Sequence, residues 1–220
     1  LTLTDCVLAS SRAGSGGGSS GGSGGDGGSG GAVYCAAGNL TITGCGFDNN
    51  HAGNGGSSGS YDGSTSGTGG GAGGDGGAIC FLGDVLTIGS TTFSSNVAGD
   101  GGRLYHCVDG STAGNGGRGG AVYAATCTSV DITDDCSFQG NVAGRGGFQD
   151  PCDDPDEPGA PGLNGAGGWG GSGGAIYVSH EALTLEHCTF SNNRAERGGS
   201  SLTQQAGPGG LGGAVYHSAH

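Results

Sequence analysis

The chain has 220 residues, 59 of them Gly, with no Met, and 19 acidic side chains against 6 basic ones set a formal charge of −13. That acidity argues against nucleic acid or an anionic membrane as a partner, and no apolar run approaches the ~18–20 residues of a membrane-spanning helix. So much Gly without a collagen period would ordinarily mean disorder, yet short apolar phrases interrupt it and can bury a narrow core.

The sequence opens on LTLTDCVLASS, a half coil at 1–14. A Gly-rich stretch, SGGSGGDGGSGG, leads to GGAVY and then LTITGCGFDNN, a full coil at 30–53. The same two phrases return at 76–99, 119–144 and 173–196, and the sequence closes on GGAVYHSAH, a half coil at 212–220. Ala32 to Phe47, Ala78 to Phe93 and Ala175 to Phe190 are each 15 residues apart, and Ala121 to Phe138 is 17. Constant spacing inside the unit with variable spacing between units marks a solenoid, whose copies must stack to bury a core. In the first copy, strands are expected at Ala32–Tyr34, Leu40–Thr43 and Cys45–Phe47. Leu40 with Ile42, and Cys45 with Phe47, then point inward together. The predicted fold class is all-β: a right-handed parallel β-helix of about five coils stacked ~4.8 Å apart, forming one repeat domain over 1–220. Helical solenoids fit badly, because Gly brackets every apolar run and no 3.6-residue stripe is present.

One position per coil carries Asn50, Asn96, Asn141 and Asn193, with Ser11 in that place in the opening half coil. Stacked Asn side chains can bond the backbone of their own turn and the next amide, so a structural ladder is expected. Phe47, Phe93, Phe138 and Phe190 are expected to form an internal aromatic stack. Cys6, Cys45, Cys136 and Cys188 each sit two residues before the Phe position. Adjacent coils bring such residues within disulfide range, so Cys6–Cys45 and Cys136–Cys188 are candidate bridges, with a ladder of buried free thiols as the alternative. Cys107 and Cys152 each lie five residues after a Gly-Gly pair in successive loops, and a bridge between them would staple two loops with little core of their own. Cys35, Cys80 and Cys127 are left unassigned.

Every Gly-rich insertion leaves after an Ala-Gly step or its equivalent and returns at G-G-A, so all loops project from one edge. Their X-G-G triplets allow either a flexible linker or extended threefold helices of the polyglycine-II type packed backbone to backbone. The recurrence of triplets in several loops favours the ordered form.

Alternating in order through four copies, G-G-A-[ILV] and F-x-x-N resemble the repeat of the chlamydial polymorphic outer membrane proteins and related β-helical autotransporter passengers. The resemblance covers the coils and not the Gly-rich loops. It implies secretion, surface display of a β-helix and an adhesive role.

Acidic residues in DPCDDPDEP raise one metal hypothesis, with Asp150, Asp153, Asp154, Asp156 and Glu157 as hard oxygen donors for Ca²⁺; a solvated acidic loop stiffened by Pro is the plainer alternative. Otherwise no cofactor is expected. Asp84, Asp131 and Glu186 share no register, and the His residues are scattered, so neither a triad nor a zinc site can be drawn and no enzyme activity is expected. Joining GGAVYHSAH to LTLTDCVLASSRAG makes nearly a whole coil. The expected function is an extracellular or cell-surface structural subunit that polymerises head to tail by coil stacking. A passenger fragment of a surface adhesin is the alternative, and a polysaccharide-active enzyme a more distant one.

Overall fold

The computed structural model describes residues 1–59, 67–105, 107–150, 165–179, 182–201 and 205–218. It is all-β, with no helix among those residues. Three five-stranded sheets, parallel throughout, are arranged so that the chain visits each in turn. The first contains Thr2–Thr4, Leu40–Thr43, Val85–Gly89, Ser129–Thr133 and Ala182–Leu185. The second contains Val7–Ala9, Gly46–Asp48, Thr92–Ser94, Ser137–Gln139 and Thr189–Ser191. The third contains Val33–Cys35, Ile79–Phe81, Val122–Ala125, Ile176–Ser179 and Val215–Ser218. Strand order in every sheet follows chain order, which is compatible with a β-helix or solenoid.

Alternation puts one apolar column after another on the inner face. Leu40 and Ile42 pair in register with Leu86 and Ile88, and these with Val130 and Ile132; all six are fully buried. Phe47, Phe93, Phe138 and Phe190 occupy one register position in the second sheet. The second-sheet strand begins one residue later than the alternation suggests, at Gly46. The residue before each Cys position turns left-handed, as at Gly44 (φ 67°) and Ser90 (φ 48°), so Cys45 belongs to the corner although its side chain is buried. The third-sheet strand likewise runs Val33–Cys35 because the G-G-A phrase is itself a corner. Its first Gly has positive φ in every copy, 68° at Gly76, a region that costs Gly nothing.

The Gly-rich insertions are ordered where described, and they form a second layer held by backbone hydrogen bonds. In the returning stretch of one repeat, Gly70, Gly73 and Gly76 donate to Thr112, Asn115 and Arg118 of the next. Gly71 and Gly74 donate instead to Gly56 and Gly53 of the outgoing stretch of their own loop. Outgoing Gly99 and Gly102 then donate back to Gly74 and Gly71. Donors of each kind recur every three residues, the period of an extended threefold helix. The close approach demands Gly: a Cβ on Gly102 would lie 2.0 Å from the Gly56 carbonyl oxygen.

The third N–H of a triplet belongs to the non-Gly residue, and in several repeats an Asp, Asn or Ser side chain one repeat earlier satisfies it. Ala72 N–H donates to Asp26 Oδ1 (2.7 Å), Asp75 N–H to Ser29 Oγ (3.0 Å), and Asp100 N–H to Asn54 Oδ1 (2.9 Å). Arg145 N–H donates to Asp100 Oδ1 (2.8 Å), and Leu211 N–H to Ser172 Oγ (2.9 Å). The Asp, Asn and Ser residues of the triplets therefore act as acceptors that close the layer's outer surface.

Candidate assembly surfaces

Columns that run the length of the stack determine what its two end faces expose. In the Asn column, Oδ1 of Asn96 accepts from both N–H and Nδ2 of Asn50 (3.0 Å each), while Asn96 Nδ2 donates to the Phe47 carbonyl (3.0 Å). Asn141 serves Asn96 in the same way, and Asn193 serves Asn141. At the other end, Ser11 N–H donates to Asn50 Oδ1 (3.0 Å). Beside this column the Phe rings stack with centroids 4.9 Å apart for Phe47–Phe93, 4.7 Å for Phe93–Phe138 and 5.0 Å for Phe138–Phe190.

The cysteine column holds free thiols and not the candidate bridges. Cys6, Cys45, Cys136 and Cys188 are all free, and each S–H lies within hydrogen-bonding reach of a carbonyl, such as Thr43 O for Cys45 and Glu186 O for Cys188. Burial raises the Cys136 and Cys188 thiols above their ordinary range, which keeps them protonated and apolar in character. Cys35, Cys80 and Cys127 are also free. Cys80 is pushed up to about 12 by burial and then by the Asp75 charge. Of Cys107 only the backbone is described, within strand Cys107–Thr112, and Cys152 lies outside the described residues. Asp153, Asp154, Asp156 and Glu157 also lie outside them, so only Asp150 of the Ca²⁺ candidate set is placed. Among the described residues, no group of three His, Cys, Asp or Glu side chains converges on one point.

A further column escaped the sequence reading. Tyr34, Cys80, Tyr123, Tyr177 and Tyr216 pair in register on the outer face of the third sheet. Tyr123 stacks on Tyr177 at 5.3 Å and Tyr177 on Tyr216 at 5.0 Å. The signal was the Tyr that closes G-G-A-[VI]-Y in four of the five copies. Arg118 lies over both Tyr123 and Tyr177, 5.0 and 4.9 Å from the ring centroids, and pairs with Asp75 (Nη2 to Oδ2, 3.1 Å).

At both ends the columns stop half-buried. Leu3, Cys6, Leu8 and Ala32 pack on the core from one end, and Leu183, Leu185, Cys188, Phe190 and Val215 from the other. Each end strand is paired on one side only, and Tyr34 is 57% exposed. In the layer at the later end, Glu196 stands where Gly53, Gly99 and Gly144 stand in earlier repeats. Its buried carboxylate pairs with Arg194 and with Arg145 Nε (3.5 Å).

No family model, no curated protein and no solved structure matches the chain.

Proposed function

We propose that this protein is an extracellular structural subunit whose stack continues from one copy to the next, head to tail. The observation that carries the reading is the match of columns between the two end faces. Stacking the early face of one copy on the late face of another sets Leu8 on Phe190, Leu3 on Leu185, Tyr34 on Tyr216 and Ser11 below Asn193. Apolar residues then continue the apolar columns, Tyr continues the Tyr column and Ser11 takes the polar place of Asn, and each unpaired strand edge gains the parallel partner that every internal strand has. Exposed edges of this sort are templates for pairing with another chain, and a heterologous interface that does not close produces a filament.

In this reading the sheets form a right-handed β-helix of about five turns, and at ~4.8 Å per turn each copy adds ~24 Å of length. The triplet loops form a second, polyglycine-II-like layer that stacks in step. The extracellular setting is supported by the acidic, Gly- and Ser-rich composition and by the resemblance to surface-displayed repeats.

The test pairs two variants, Leu8→Asp and Phe190→Asp, each spoiling one end face. The wild-type chain is expected to form fibres with an axial rise near ~24 Å. Each variant alone stays monomeric, and an equimolar mixture gives dimers through the one pair of intact faces. A wild-type chain that stays monomeric at high concentration overturns the proposal, as does a fibre of unrelated rise. The alternation of G-G-A-[ILV] with F-x-x-N favours a second reading, the passenger segment of an adhesin. A native polypeptide much longer than 220 residues, with further repeats covering both end faces, would select it.

A further inference from the structure

We infer that the groove where the triplet layer meets the tyrosine column is a binding site for a neutral oligosaccharide. The groove encloses about 510 Å³, and its walls include Trp169, Leu211, Tyr177, Tyr216, Arg118 and Asp75. That volume lies within the ~300–1,000 Å³ of small-ligand sites, which combine apolar walls with a few fixed polar groups.

Trp169 stands apart in its column. Asp26 and Asn115 supply acceptors for the next repeat there, Ala72 supplies none, and an indole can only donate. Its backbone N–H is satisfied by Asn115 Oδ1 (2.9 Å). The residue that would need an acceptor from Trp169 is Pro208, the next in that column, and Pro has no N–H to satisfy. The layer therefore carries the indole without losing a hydrogen bond. Trp169 is 65% exposed and Leu211 62%, with Gly on both sides of Trp169, so the ring face is free to stack.

The groove's polar groups are fixed and neutral as a set. Arg118 donates to Asp75 through Nε (3.3 Å), Nη2 (3.1 Å) and its backbone N–H (2.7 Å), and its Nη1 reaches the Tyr177 hydroxyl (3.4 Å). The Asp75 charge and hydrogen bond hold the guanidinium pKa above its ordinary value against the opposing effect of burial. An anionic ligand meets a paired Arg on a chain of charge −13, and a cationic ligand meets a guanidinium. A neutral pyranose suits both walls, its C–H face against indole and tyrosine rings and its hydroxyls towards the Arg118–Asp75 pair.

Trp169 is the single Trp of the chain, so its emission reports on this groove alone. Titration with cellotetraose, chitotetraose and maltotetraose is expected to give a saturable emission change with at least one of them. By calorimetry, Trp169→Ala should bind that sugar at least ~10-fold more weakly, since the main stacking surface is gone. Ala72 occupies the same column in another repeat, so the variant should keep the wild-type melting temperature and the wild-type assembly state. The inference fails if no neutral sugar changes the emission, if only polygalacturonate or a proline-rich peptide does, or if Trp169→Ala binds undiminished. Because assembly is scored separately, these results leave the filament proposal standing or falling on its own test.

Discussion

In the three sheets, a position is specified by the side chain it carries: Leu and Ile on one inner face, Phe and Asn on another, each repeated at one register position. In the triplet layer a position is specified by the side chain it lacks. There the neighbouring backbone occupies the space a Cβ would need, as at Gly102 against Gly56 O, and N–H groups donate to carbonyls in rotation every three residues. The sheets exclude water with apolar volume, whereas the layer satisfies its polar backbone and buries little besides. One region should therefore be sensitive to removing atoms and the other to adding them.

Removing Phe93 tests the first half of that contrast most severely. Phe93→Ala takes a ring out of a stack with neighbours at 4.9 and 4.7 Å, and should cost about 3–5 kcal/mol by the shift of the urea midpoint. Asn96→Ala should follow, at about 3 kcal/mol, because it takes the partner from the buried N–H of Asn50, from one Nδ2 proton of Asn50 (the amide keeps its bond to the Leu8 carbonyl) and a donor from the Phe47 carbonyl. In the layer the decisive change is an addition. Gly102→Ala should cost about 1–3 kcal/mol, since the obstructing atom is a backbone oxygen and not a side chain that can swing away. A cost near zero would mean that the layer is loose, and the contrast would be lost.

The seam between the two regions predicts a dependence on pH. Cys80 and Tyr123 are both pushed up to about 12, chiefly by burial and next by the Asp75 charge, from ordinary values of 9.0 and 10.0. The unfolded chain releases these protons at lower pH than the folded one. The stability they contribute is thus whole below about pH 9 and declines as the pH rises through about 12. The melting temperature should fall across that window, and the Cys80→Ala, Tyr123→Phe double variant should flatten the fall. The smallest effect is expected on the outer surface of the layer. Asn54→Ala leaves the Asp100 N–H (2.9 Å) to water and should cost about 0.5–1 kcal/mol; a larger loss would show that these acceptors carry more of the layer than its backbone does.

Sequence alone determined the period, the inward columns and the ladder residues. Two inward residues of each phrase must share a face of a strand, and a repeat too short to bury itself must stack on its neighbour. Leu40–Thr43 coincides with an observed strand, whereas the strands flanking it are displaced by one residue, because left-handed corners at Gly30 and Gly44 are features of φ that letter patterns do not display. The free state of the cysteine column could not be read from spacing either: proximity permits a bridge without requiring one, and the thiols instead face backbone carbonyls. Only the tertiary structure decided that the X-G-G loops form a layer, that their Asp, Asn and Ser residues serve the next repeat's N–H, and that Trp169 lines one groove with Arg118, Tyr177 and Tyr216. The contacts between repeats join residues roughly 40–60 positions apart, and they exist only once every loop is delivered from the same edge of a finished stack.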